Sequence, residues 1–272
     1  MQTSRAIPIN ASLLLIGFGL ISAIVHVFGP SSAATHVGAV STAELDTISA
    51  FERAEYYFQP DVYDITKARQ YYIQAIEEDP RGESLQWYQL SRIHFIQGEF
   101  DAALFALAKQ EEYFGDEIHN VHYMKGLVHA FRAERYNAPR DWRQAEESFS
   151  TFLVFVPDSP WARIDLAWVY FAQDNFTEMF AVLEPVKEFE RDNPWWLNMY
   201  GLAYLNTDQP EEALHWFREA DRYASDLAVE DWAHVYPEND PADWPQGLRE
   251  FQAAVRDNVA IAADAAQAGG GN

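Results

Sequence analysis

The chain of 272 residues contains no cysteine. Disulfides, thiolate nucleophiles and cysteine-ligated metals are therefore excluded. Basic residues are scarce: 19 Lys and Arg stand against 42 Asp and Glu, a formal net charge of −23. Nucleic-acid binding rests on Lys and Arg neutralising phosphates, so a field of this sign argues against a nucleic-acid partner. Also missing are a nucleophile elbow, a P-loop, an HExxH pair, a dinucleotide fingerprint and a haem-attachment motif. Carboxylates abound, yet nothing in their spacing singles out a catalytic pair. Glu77-Glu78-Asp79 and Glu211-Glu212 read as solvated helix ends, the latter favourable near a helix N-terminus. The chain thus reads as non-enzymatic, with no cofactor.

What is present is apolar and aromatic. Hydrophobic residues make up 49% and aromatics 15%, enough to bury a large core and to set the chain apart from disordered sequences. The charge is placed unevenly. Residues 1–40 hold one Arg, Arg5, and no acid, which leaves the remainder at about −24. After a leader at 1–10, residues 11–28 (ASLLLIGFGLISAIVHVF) carry no Asp, Glu, Lys or Arg. As a helix this run is ~27 Å long, close to the ~30 Å hydrocarbon core. With Arg5 on one side and the acidic bulk on the other, the positive-inside bias keeps the N-terminus cytoplasmic and places the rest outside. An uncleaved membrane anchor is the preferred reading. A cleaved signal peptide is its rival, since Ser32 and Ala34 give an A-x-A-like arrangement. A Gly/Pro/Ser/Ala linker occupies 29–41.

Residues 42–228 carry an internal repeat. Ala213, Phe217 and Ala220 set a small–aromatic–small pattern at relative positions 0, 4 and 7. Ala145/Phe149/Phe152 and Ala68/Tyr72/Ala75 repeat the spacing, and Ala103/Leu107/Gln110 and Met179/Leu183/Val186 are looser copies. The intervals between first members are 35, 42, 34 and 34 residues. Upstream of four blocks lies another helix, marked by Ser91…His94, Gly126…His129, Ala167…Tyr170 and Gly201…Tyr204. The small residue admits a close helix approach, and the aromatic three positions later is expected to fill the gap beside it. Pro80 and Pro157 each lie twelve residues after the leading alanine of a block, where proline ends a unit without breaking it. The 42-residue interval predicts a seven-residue insertion in an inter-helix turn near Arg135–Asp141. Pro185 falls inside a second helix and is expected to kink it. Residues 230–245 look turn-rich. An amphipathic capping helix follows over 246–263, with Leu248, Phe251, Val255, Val259 and Ala262 on one face. The segment 229–264 is thus turn-rich chain plus cap, and 265–272 reads as a disordered tail.

The pattern resembles the tetratricopeptide repeat family, in its N-terminally membrane-anchored bacterial type. Five units are in phase, near 42–81, 82–117, 118–158, 159–193 and 194–228. The resemblance implies an all-α, right-handed superhelical solenoid of about five helical hairpins. It also implies an inner wall built by the first helix of each hairpin and a role in binding proteins or peptides. Carried over unit by unit, the outward-facing wall positions are Phe51 and Phe58, then Tyr88, Arg92 and Phe95. Tyr123 and Leu127 come next, then Trp161, Ile164, Trp168 and Phe171, and last Trp195 and Asn198. Such a groove suits an apolar or aromatic-bearing peptide, or the stacking of sugar rings. The same rings could instead pack on neighbouring helices or on the C-terminal cap. His119, His122 and His129 share a helical face, as metal ligands would. However, His94 and His129 sit at the aromatic packing position of their repeats, so a structural role is preferred.

Overall fold

A computed structural model describes residues 42–115, 119–236 and 239–269. Residues 11–28, read as a membrane anchor, lie outside them. Among the described residues no helix is long and apolar enough to cross a membrane, and every regular element is helical. The helices are α1 Thr42–Leu45, α2 Ala50–Tyr57, α3 Ile65–Glu78, α4 Gln86–Ile96, α5 Phe100–Phe114, α6 Asn120–Tyr136 and α7 Pro139–Phe155. They continue as α8 Pro160–Ala172, α9 Phe176–Leu183, α10 Pro194–Leu205, α11 Pro210–Asp226, α12 Val229–Val235 and α13 Trp244–Gly269. The chain divides into two compact units, one holding α1–α7 with residues 239–241, the other α8–α13.

The repeat pattern is the core of both units. In the first unit Ala68, Tyr72, Ala103, Leu107, Gln110, Ala145, Phe149 and Phe152 are fully buried, and Ala75 nearly so. In the second, Met179, Leu183, Ala213, Phe217 and Ala220 are fully buried, with Val186 close to it. The small residue of the first helix has a definite partner. A Cβ on Gly126 would lie 2.6 Å from the Phe149 ring, and one on Gly201 would lie 2.6 Å from the Phe217 ring. The ring that fills the gap therefore comes from the second helix of the hairpin, not from the same helix three positions on.

Four of the hairpin turns use one device, whereas the α2–α3 turn passes through a 3-10 turn at Pro60–Val62. Gly98, Asn137, Asp174 and Asp208 adopt positive φ at the end of the first helix, a conformation that glycine, asparagine and aspartate tolerate best. The next residue then donates its N–H five residues back: Glu99 to His94, Ala138 to Ala133, Asn175 to Tyr170 and Gln209 to Tyr204. Three of these bonds end on the repeat's aromatic position, whereas the third hairpin's ends four residues beyond His129. The seven-residue insertion is therefore not a loop, as expected, but added helix. Four residues extend α6 by one turn and the other three lengthen α7 at its start, so that both helices reach 17 residues. Pro139 opens α7 at the position where its missing N–H costs nothing.

Pro185 acts more strongly than a kink. α9 stops at Leu183 after eight residues, and Glu184–Val186 continue as a 3-10 turn. The other second helices run 14 to 17 residues. At the C-terminus the segment read as turn-rich contains α12, with Trp232 and Val235 buried. The capping helix buries Leu248, Phe251, Ala254, Val255, Asn258 and Ala262, and Val259 is only half-buried. It runs to Gly269, so residues 265–269, read as disordered tail, are helical; the Ala-rich stretch has high intrinsic helix propensity.

Candidate functional site

The predicted wall positions divide between the two units. In α4, Tyr88 and Arg92 are buried. Tyr88's backbone N–H donates to Oε1 of Gln110 at 2.9 Å, and Gln110 Nε2 donates to the Ser84 carbonyl at 2.6 Å. This buried amide substitutes for a side-chain cap, because Leu85 at the N-cap has none to offer. The Arg92 guanidinium donates to Gln89 Oε1 and lies over the Phe58 ring, 5.2 Å from its centroid. Gln89 in turn donates to Glu55, which also accepts from the Tyr72 hydroxyl. Burial, reinforced by Glu55, pushes the Tyr72 hydroxyl's pKa well above the ordinary value, so it stays a donor. In α6, Tyr123 packs against Phe149 and Phe152 at 5.5 and 5.3 Å, and Leu127 is buried.

In the other unit, Ile164 and Trp168 of α8 and Trp195 and Asn198 of α10 are buried, while Trp161 is half-exposed. Trp161 meets Trp195 edge-on at 5.4 Å. Trp195 is the centre of an aromatic cluster. It stacks on Phe251 of α13 at 4.9 Å and 9°, and lies 6.2 Å from both Trp232 and Tyr236. Asn198 Oδ1 accepts a 2.9 Å hydrogen bond from Asn258 Nδ2 of α13, buried on both sides. Burial, then the neighbouring Asp165 carboxylate, push the Tyr236 hydroxyl's pKa well up.

An open wall is not what these positions form. Tyr88, Arg92, Tyr123, Leu127, Ile164, Trp168, Trp195 and Asn198 are each at most 5% exposed, leaving Trp161 alone half-exposed. The physical reason differs by unit. In the first, wall and core positions are adjacent on each helix, and rings such as Tyr123 turn into the hairpin. In the second, α12 and α13 fold back and cover α10. Phe251 was expected on the apolar face of the cap, whereas Trp232, Tyr236 and Asn258 are the residues that sequence reading missed here. The i, i+4 spacing of Trp232 and Tyr236, with Asp231 capping the Ala228 N–H at 2.8 Å, was the available signal.

The histidines have structural partners. His129 Nδ1 lies 3.1 Å from Asp141, which also receives the Arg132 guanidinium. His94 pairs with Glu99 at 2.6 Å. His119 and His122 both lie parallel to the Phe155 ring, His119 at 3.9 Å. Among the described residues no three His, Asp or Glu side chains converge as metal ligands.

Residues 197–227, which cover most of α10 and all of α11, match the tetratricopeptide repeat family model. No curated protein sequence matches the chain. Among solved structures it is similar to PilW, described as a widely conserved type IV pilus biogenesis factor. The identity is 15% over 80% of this chain and 94% of that one, with a TM-score of 0.54. It is similar to TTC0263 from Thermus thermophilus, at 15% identity over 76% and 96%, TM-score 0.52. YrrB, described as a TPR protein with an unusual peptide-binding site, is 16% identical over 65% and 86%, TM-score 0.51. At these identities the likeness concerns the fold alone. This chain therefore has the tetratricopeptide fold and carries a recognisable tetratricopeptide repeat at residues 197–227.

Proposed function

We propose that the chain is a non-enzymatic scaffold that binds a peptide or protein segment through the aromatic wall of the α8–α13 unit. The observation that carries this reading is the cluster that Trp161 and Trp195, on the first helices of two hairpins, form with Trp232, Tyr236 and Phe251, with Trp161 half-exposed at its edge. Rings of this size supply contact area at low entropic cost, and Trp is enriched among residues that dominate binding energy. The peptide-binding site of YrrB, a protein of the same fold, supports a peptide as the ligand class. The rival reading, a glycan- or lipid-binding accessory protein of the envelope, needs open ring faces. Trp195 has its face against Phe251 and offers none for stacking.

Residues 11–28 would tether this scaffold as a single-pass anchor, with the array outside the cytoplasmic membrane. Alkaline phosphatase fused after residue 269 should then be active in cells; an inactive, stable fusion refutes the placement. For binding, purified residues 40–272 should retain from a membrane extract a protein that the Trp161→Ala variant releases. Equal retention by both, or none by either, refutes the reading.

A further inference from the structure

α12 is the shortest helix of its unit. It has seven residues, too few to hold helical form without tertiary contacts. Its contacts come from one face: Trp232, Val235 and Tyr236 are buried, while Glu230, Asp231 and His234 point outward. Inward residues at i, i+3 and i+4 are the anchor pattern of an amphipathic helix seated in a groove. The seat is Trp195, a wall position of α10, with Trp232 and Tyr236 each 6.2 Å from it and 4.3 Å from each other. Phe251 of α13 closes the far side, 6.0 Å from Trp232. Gly247 completes the seat, since a Cβ there would lie 2.7 Å from Trp232 Cζ2.

We infer that α12 is a resident occupant of the binding wall, and that the wall's external ligand is a short amphipathic helix with aromatic residues four apart. This inference rests on the proposed peptide-binding role and states the ligand's chemistry: two rings at i and i+4, a small aliphatic between them at i+3, and a polar outer face. The ligand binds by taking the place of Trp232 and Tyr236. The ground is physical. A wall that accepts this pattern in cis accepts it in trans, limited by the local concentration of the tethered copy. The internal occupant thereby sets a threshold that weak aromatic peptides do not pass.

The test uses the full-length chain and a fluorescein-labelled peptide with the sequence of residues 227–240. Two variants evict α12 by different routes: Trp232→Ala removes its anchor, and Gly247→Ala keeps every ring but fills the space that Trp232 needs. Both should bind the peptide at least tenfold more tightly than the unmodified chain, by fluorescence anisotropy. A peptide lacking both rings should not bind. The inference is overturned if neither variant gains affinity, or if the ringless peptide binds as well. It is also overturned if both variants lose the far-UV helical signal, because α12 would then be core and not occupant. A partner retained through Trp161 by the unmodified chain, with no gain in either variant, would refute the inference and leave the scaffold reading intact.

Discussion

Gly201→Ala sets two opposed effects of known size against each other. Gly201 lies inside α10, where alanine in place of glycine ordinarily stabilises a helix by about 0.5–1 kcal/mol. Here the new methyl would sit 2.6 Å from two carbons of the Phe217 ring and 3.1 Å from a third. Phe217 is fully buried, so the ring cannot swing into solvent and the two helices must separate. Overpacking of a filled core costs about 1–3 kcal/mol. The steric cost is the larger, and the variant should be destabilised by about 1 kcal/mol. The midpoint of urea unfolding, followed by far-UV circular dichroism, measures it. Gly126→Ala should behave alike, because its methyl would meet Phe149 at the same 2.6 Å. Combining Gly201→Ala with Phe217→Leu should recover stability relative to the sum of the single changes, a coupling of about 0.5 kcal/mol or more. A stabilised Gly201→Ala, or strict additivity in the double variant, would refute the glycine–ring packing as the reason for the repeat's small position.

The same unfolding assay checks three further expectations. Trp195→Ala should cost about 3–5 kcal/mol, as for other buried large rings, whereas Trp161→Ala, half-exposed, should cost less than half as much; equal losses would contradict the buried cluster. Asp141→Asn should cost about 2–3 kcal/mol, because Asp141 is buried and holds both Arg132 and His129; an unchanged midpoint would sink that reading. Burial, with Arg132 alongside, holds the His129 pKa below its ordinary 6.5 against the pull of Asp141. The unfolded chain then binds this proton more readily than the folded one. His129's contribution is thus full above pH 6.5 and declines as pH falls below it, and His129→Gln should flatten the drop in urea midpoint between about pH 7.5 and 5.5.

Some of this protein is written in local pattern. The 0, 4, 7 blocks were legible because a helix that buries one stripe must repeat its small and large residues at helical spacing, and each hairpin repeats the same packing problem. Ala213, Phe217 and Ala220 are buried for the reason their spacing suggests. Pro185 likewise ends a helix by local chemistry alone, through its missing N–H and fixed ring. The extra seven residues of the third hairpin were visible as a count, but not as a shape. Whether they loop out or wind into helix depends on what they then bury, and here added helix brings Asp141 to His129 and Arg132.

The wall was the least legible part. Positions such as Tyr123 and Trp195 follow from repeat register, yet register says only which way a side chain leaves its own helix. Whether water or protein meets it depends on chain that is distant in sequence. Asn198 meets Asn258, sixty residues on, and Trp195 meets Trp232 and Phe251. No local spacing encodes those encounters, because they arise only after α12 and α13 have folded back. The sequence by itself determined the helices of the repeat, their hairpins and the close approach of each pair. The tertiary structure decided which of the aromatic side chains still face solvent, because exposure depends on every neighbour and no residue carries it alone.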